Sequence, residues 1–221
     1  MFPIIVSNSG YTCLITACYK NHPVIVARLL ARPDVNPNWT SEEGDSLIMT
    51  CCARGYNEII SVLVEREDLD INFTGNRDLS PLMLACIEGN KDVATIILKR
   101  DDVDINIIGG NRYINLNITK IIFPGKDGVT AIGLACLQGD LDIVKMLLQR
   151  EEIDINTQTI DGVTPFTVSI FKSHEEITKI LLKRPDLELK NDEDLFLKQG
   201  IDPLHVAAAK GQVDIVRELV R

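Results

Sequence analysis

The sequence contains no apolar run approaching the roughly 18 residues that a membrane-spanning helix needs. Its opening, Met1-Phe2-Pro3-Ile4-Ile5-Val6, lacks both the length and the basic flank of a secretory signal. With neither feature, the cytoplasm is the expected location, with the nucleus as the alternative. Basic residues are scarce: 23 Lys and Arg face 32 Asp and Glu, a formal net charge of -9. Neutralising phosphates needs a basic face, so nucleic acid is not an expected partner, and neither is a membrane. An acidic body repels polyanions and favours basic or mixed-charge partners at encounter.

Signatures of catalysis are missing too. There is no Cys-x-x-Cys pair, phosphate loop, Gly-x-Ser-x-Gly elbow or dinucleotide fingerprint. The histidines are His22, His174 and His205. His174-Glu175 is followed by Thr178 where a zinc-protease helix would place its second His. No catalytic residue, metal ligand or cofactor site is therefore expected, and no cofactor. What remains is ordinary for a folded chain, with 45% apolar and 25% charged residues.

Self-similarity carries the positive signal. Gly10-Tyr-Thr-Cys-Leu-Ile-Thr-Ala-Cys18 lines up with segments starting at Gly44, Asp78, Gly128, Gly162 and Gly200. The starts are 34, 34, 50, 34 and 38 residues apart, so the period is 34, with an insertion before the fourth unit. The third residue of each segment (Thr12, Ser46, Ser80, Thr130, Thr164, Asp202) can cap a helix with its side-chain oxygen. Pro81, Pro165 and Pro203 follow at the helical position that needs no N–H. Small residues such as Ala17, Ala85, Ala135 and Ala207 allow close helix approach, and Gly55, Gly89, Gly139 and Gly211 mark the stops. A second amphipathic run follows, as in Ile143, Val144, Leu147, Leu148 and in Ile177, Ile180, Leu181, Leu182. Asp-Ile-Asn then recurs at Asp70-Ile71-Asn72, Asp104-Ile105-Asn106 and Asp154-Ile155-Asn156. So short a helix pair cannot bury its apolar faces alone, whereas stacked pairs can.

These segments resemble the ankyrin repeat and its Thr-Pro-Leu-His-x-Ala hallmark, most closely at Thr164-Pro165-Phe166 and Asp202-Pro203-Leu204-His205-Val206-Ala207. The resemblance runs from about Ser7 to Arg221. It implies an all-α solenoid of stacked helix-turn-helix units joined by hairpin-like turns. One array is expected over 1–221, with repeats near 8–41, 42–75, 76–107, 126–159, 160–193 and 198–221 and an insertion at 108–125. Two departures stand out. Arg66-Glu67-Asp68 and Arg184-Pro185-Asp186 replace the usual Gly-Ala-Asp, and the insertion breaks the spacing. Arg221 falls within what should be a last helical turn, so the sequence is expected to be a fragment of a longer array or multidomain chain. It is otherwise expected to be monomeric.

Cys18, Cys52, Cys86 and Cys136 share one position in the repeat. Same-position neighbours lie one repeat apart, roughly 10 Å, too far for a bond or a shared metal, so they are expected to be small buried residues. The resemblance implies supporting roles at turns and caps for the histidines, and a turn-stabilising role for Asn72, Asn106 and Asn156.

The resemblance further implies a non-catalytic protein-interaction module whose protein partner lies in a groove of turn tips and first helices. Two apolar rows map there as surface positions. One follows the segment start (Tyr11, Asp45, Leu79, Val129, Val163, Ile201), and the other lies nine residues beyond it (Tyr19, Ala53, Ile87, Leu137, Phe171, Ala209), with Tyr11, Leu79, Val129, Val163, Tyr19, Ile87, Leu137 and Phe171 as the candidate contacts. Lys20, Arg54, Glu88, Gln138, Lys172 and Lys210 edge the second row. An apolar stripe edged by charge suits a contact surface, with Tyr19 and Phe171 as anchors. For Ile87, Leu137 and Phe171 the alternative is packing within the stack. The alternating run Tyr113–Thr119 suggests an extended strand or lengthened hairpin, either a contact loop or a tolerated excursion. Two rival functions stand: the recognition part of a larger enzyme or signalling protein, or a structural spacer.

Overall fold

Five hydroxyls start the first helices. The side-chain oxygens of Thr12, Ser46, Ser80, Thr130 and Thr164 each accept from the backbone N–H three residues on. Each satisfies one of the donors a helix start leaves free. Thr164 also forms a reciprocal capping box with Thr167. These contacts belong to a computed structural model that describes residues 12–42, 44–76, 78–110, 127–160, 162–189 and 203–220. The sixth expected cap, Asp202, lies outside the described residues.

Twelve helices occur among the described residues. They are α1 (Cys13–Tyr19), α2 (Pro23–Leu30), α3 (Leu47–Arg54), α4 (Asn57–Val64), α5 (Pro81–Ile87), α6 (Lys91–Ile97), α7 (Ala131–Gln138), α8 (Leu141–Leu147), α9 (Pro165–Phe171), α10 (Glu175–Leu182), α11 (Pro203–Ala209) and α12 (Val213–Leu219). Each has only seven or eight residues. Helices shorter than about 12 residues are marginal alone in water, so packing holds these.

Every first helix ends in a left-handed residue. Gly55, Gly89, Gly139 and Gly211 have φ between 61° and 79°, as the sequence predicts. Asn21 and Ser173 fill the same slot at 54° and 60°. Asparagine tolerates this region and serine does so with more strain, which explains why a search for glycine passes over them.

The chain divides into two compact units, Met1–Asp104 and Ile105–Arg221. In the first, the pairs α1/α2, α3/α4 and α5/α6 stack, first helices on first helices and second on second. In the second, α7/α8, α9/α10 and α11/α12 do the same. The first helices contribute Leu14, Ile48, Leu82, Ile132 and Phe166 to the cores, and the second helices contribute Val26, Ile59, Val93, Ile143 and Ile177, all buried. Each such side chain stabilises its unit by about 1.5–3 kcal/mol. One core position departs from the apolar pattern. Ser169 and Thr178, both fully buried, stand where the preceding helix pair has Ala135 and Val144. Their hydroxyls lie 2.8 Å apart, with the Phe166 carbonyl in reach of Ser169 and the His174 carbonyl in reach of Thr178, so one hydroxyl donates to its carbonyl and accepts from the other. The pair is therefore satisfied where it is buried.

Of the insertion, only the base is described. Strands β1 (Gly109–Gly110) and β2 (Asp127–Val129) pair antiparallel. The expected alternating run Tyr113–Thr119 lies outside the described residues.

Candidate partner-binding face

Two ladders of side chains tie neighbouring segments together through main-chain atoms. Asn72 Nδ2 donates to the Asp102 carbonyl at 2.7 Å, while its Oδ1 accepts from the Asp104 N–H at 2.8 Å. Asn38 does the same toward Asp68 and Asp70, Asn106 toward Glu152 and Asp154, and Asn156 toward Asp186 and Glu188. The turn role expected for Asn72, Asn106 and Asn156 thus takes a specific form, a bridge to the following segment. Asn38 joins them from Asn36-Pro37-Asn38, a stretch without the Asp-Ile-Asn spelling.

The second ladder is made of Arg32, Arg66, Arg100, Arg150 and Arg184. Each forms an ion pair with an acid two residues on: Asp34, Asp68, Asp102, Glu152 and Asp186. The side-chain hydrogen bond to its arginine holds each aspartate below the usual carboxylate range. For Glu152 the backbone hydrogen bond leads and Arg150 follows. Three of these guanidinium groups also reach the preceding segment. Arg66 donates to the carbonyls of Leu30, Arg32 and Val35, Arg100 to Arg66, and Arg184 to Leu148. Leu30 and Leu148 close second helices, where carbonyls lack intrahelical partners and a cation is favoured. The replacement of Gly-Ala-Asp by Arg-x-acid therefore supplies a cap for the preceding repeat.

Opposite fates await the two apolar rows. Leu79, Val129 and Val163 are only 3%, 4% and 3% exposed, and Leu137 is 5% exposed. They are core residues, which corrects the expectation that they lie on the surface; they are not available to a partner. Val129 and Val163 line one small gap together with Thr159 and Pro165. Tyr11 lies outside the described residues. Tyr19, Ile87 and Phe171 are half-buried, at the ends of α1, α5 and α9. Lys20, Arg54, Glu88, Gln138 and Lys210 beside them are exposed and Lys172 half-buried.

Two of these edges form the same contact. The Arg54 guanidinium lies over the Tyr19 ring, 5.1 Å from its centre, and the Lys210 ammonium lies over the Phe171 ring at 5.2 Å. In each case the cation comes from the helix pair that follows the ring. The Tyr56 side chain raises the pKa of Arg54. Sequence rows alone do not show this pairing, because it joins the column nine residues beyond the segment start of one unit with the neighbouring column of the next. The sequence reading also passed over Ile160, a turn-tip residue 61% exposed, because it precedes the segment glycine from which the rows were counted.

Comparison with known proteins fits this geometry. The family described as Ankyrin repeats (3 copies) matches residues 14–108, 112–191 and 132–221. The chain belongs to the ankyrin repeat family. Among solved structures, the crystal structure of the ankyrin repeat protein EF0377 is similar with a TM-score of 0.76. The match covers 100% of this chain and 99% of that one at 22% identity, a likeness of fold. No curated protein matches the sequence. Ankyrin repeats are generally protein–protein interaction modules, and the family is generally non-enzymatic.

Within the ankyrin framework, the remaining candidates for chemistry have structural surroundings. Among the described residues no group of three or more His, Cys, Asp or Glu could hold a metal ion. No described helix is long and apolar enough to cross a membrane. His22 and His174 precede second helices, but neither side chain caps its helix. The His174 ring instead covers Gly139 of the previous repeat so closely that a Cβ there would lie 2.4 Å from it. The cysteine column Cys18, Cys52, Cys86 and Cys136 is buried, as expected. Thiols of adjacent columns come nearer to one another than those one repeat apart in the same column. Cys51, in the column of Ala17 and Ala85, is pushed far up by the nearby Cys18 thiol of the neighbouring first helix and by burial. Burial does the same to Cys52. Since the thiolate is the nucleophile, an aromatic disulfide reagent is expected to titrate Cys13, the exposed thiol, rapidly in the folded chain, and the other five only as urea unfolds it. A second fast thiol in native buffer would contradict this packing.

Proposed function

We propose that the chain is a non-catalytic binding module that holds a protein partner on the face formed by the ends of its first helices and its turn tips. The observation that carries this reading is a half-buried ring at the end of a first helix with a cation over it, Tyr19 under Arg54 in the first unit and Phe171 under Lys210 in the second. Aromatic side chains supply large contact area with few rotors to freeze, which is why they concentrate binding energy. Ile160 adds an apolar tip to the same class of position.

The test is a comparison of two double variants in affinity capture. Tyr19→Asp with Phe171→Asp is expected to lose the proteins recovered by the unmodified chain. Val24→Asp with Val213→Asp places the same charges on second helices, where both valines are exposed, and is expected to keep them. Equal recovery by both variants would remove this face from consideration and favour the spacer role.

A further inference from the structure

Three columns of the repeat are buried in every helix pair but one. Ile25 of α2 is 48% exposed, whereas its five counterparts, from Ile59 to Ile215, are at most 2% exposed. The opposite end behaves in the opposite way. Ala208 of α11 is exposed and Val216 of α12 half-buried, although every earlier residue of their columns, from Cys18 and Val26 onward, is 0–1% exposed. The column of Ile25 therefore packs toward the preceding pair, and those of Ala208 and Val216 toward the following one. What α1/α2 leaves open is what α11/α12 buries, and the reverse. The two open faces are complementary halves of the seam found inside each unit.

Polar groups of that seam match as well. The side chain just before a second helix covers the glycine stop of the pair before it, Asn90 against Gly55 and His174 against Gly139. Gly211 has no such cover among the described residues. In the first pair this column holds His22, the same residue type as His174, and it is exposed. Arg66 and Arg184 each donate from Nη1 to a carbonyl 36 residues earlier, those of Leu30 and Leu148. Val220 occupies that place after α12. Arg32 meets Asp34 through Nε and Nη2, which leaves its Nη1 over.

We propose that the chain associates head to tail, with α1/α2 of a second copy stacking on α11/α12 of the first. Ile25 of the second copy then covers Ala208 and Val216, His22 covers Gly211, and the Arg32 guanidinium takes the Val220 carbonyl. Burial of the open apolar columns drives the contact. Stacked repeats need polar outer faces at their ends to stay apart, and neither face has one. The joint runs from the second unit of one molecule to the first unit of another, so it does not depend on how the two units of one chain are arranged. Because the two faces differ, the contact is heterologous, and each added copy brings a fresh open face until a ring closes or a filament grows. It uses residues other than Tyr19 and Phe171 and is independent of the partner-binding reading.

Sedimentation velocity of the full chain across the micromolar range is expected to give a mean mass that climbs with concentration past that of a dimer. Cys13, exposed in the single chain, lies in a column where Leu47 and Ala131 are buried, so its reaction with a disulfide reagent should slow over the same range. Ile25→Glu and Ala208→Glu each spoil one face at an exposed site, with far-ultraviolet circular dichroism to check that the fold is kept. Either variant alone is expected to be monomeric. Their equimolar mixture is expected to give dimers and nothing larger, since one sound face of each kind remains. Arg32→Ala is expected to weaken association by about tenfold, as loss of a charge-assisted hydrogen bond would. Val24→Glu is the control. Val24 is 69% exposed on the same helix, but its column holds exposed acids such as Glu58 and Asp92 and lies outside the seam, so association should be unchanged. A chain that stays monomeric throughout overturns the proposal, and so does equal loss with Val24→Glu. Dimers of Ile25→Glu alone or of Ala208→Glu alone would mean that a face meets its own kind, and a monomeric mixture that the two faces do not mate; each result overturns it too.

Discussion

Truncating Phe166 to alanine is expected to lower the stability of the second unit by about 3–5 kcal/mol, the usual cost of emptying a packed aromatic site. Phe166 is 2% exposed and is the largest fully buried side chain among the described residues. It stands in α9, in the column filled elsewhere by Leu14, Ile48, Leu82 and Ile132. A neighbouring helix on each side contacts α9, since α7 and α11 both pack against it, so a cavity there weakens two interfaces at once. Phe166→Leu restores the residue type of the column and is expected to cost far less, about 1–1.5 kcal/mol. Urea unfolding followed by far-ultraviolet circular dichroism measures both. A loss below about 1 kcal/mol for the alanine variant would mean the surrounding helices close over the gap, and that the ring is not a keystone of the stack.

Arg66→Ala is expected to cost about 2–3 kcal/mol, because a single guanidinium serves several buried or half-buried acceptors. Its Nη1 donates to the Leu30 carbonyl at 2.7 Å and the Arg32 carbonyl at 3.2 Å, and its Nη2 to that of Val35 at 3.2 Å. Nε and Nη2 also hold the Asp68 carboxylate, at 2.8 and 2.7 Å. Alanine leaves the end of α2 without its donors. Lysine supplies a point charge without the planar fork, so Arg66→Lys is expected to recover less than half of the loss. The sole tryptophan, Trp39, lies in this unit, and its fluorescence during urea unfolding reads the effect there. Equal stability of the lysine and arginine forms would show that charge alone matters. The pH dependence follows the sign of the Asp68 shift. With its folded pKa below the ordinary 3.8, the pair's contribution is complete above that value and fades as pH falls through the lower, folded one.

Local chemistry made much of the fold legible. Hydroxyl residues ahead of apolar runs located the first helices, and five of those caps are made as expected. Glycine located four of the left-handed stops but not the two built on Asn21 and Ser173, because the conformation belongs to the slot and glycine is only its easiest occupant. The buried Ser169–Thr178 pair was illegible for a related reason: each hydroxyl looks out of place alone, and only the partner nine residues away makes it acceptable. The binding face was harder still. Counting columns grouped half-buried Tyr19 and Phe171 with the core residues Leu79, Val129 and Val163, since apolar character does not distinguish a surface stripe from a core position. The cations over the rings belong to the next repeat, and that relation exists only after stacking.

The asparagine and arginine ladders are addressed to peptide groups of the adjoining segment, not to its side chains. A joint of that kind does not depend on which residues its neighbour displays. Helix surfaces can therefore diversify freely under mutation, and whole modules can be duplicated, lost or exchanged, without the seam between them having to be reinvented.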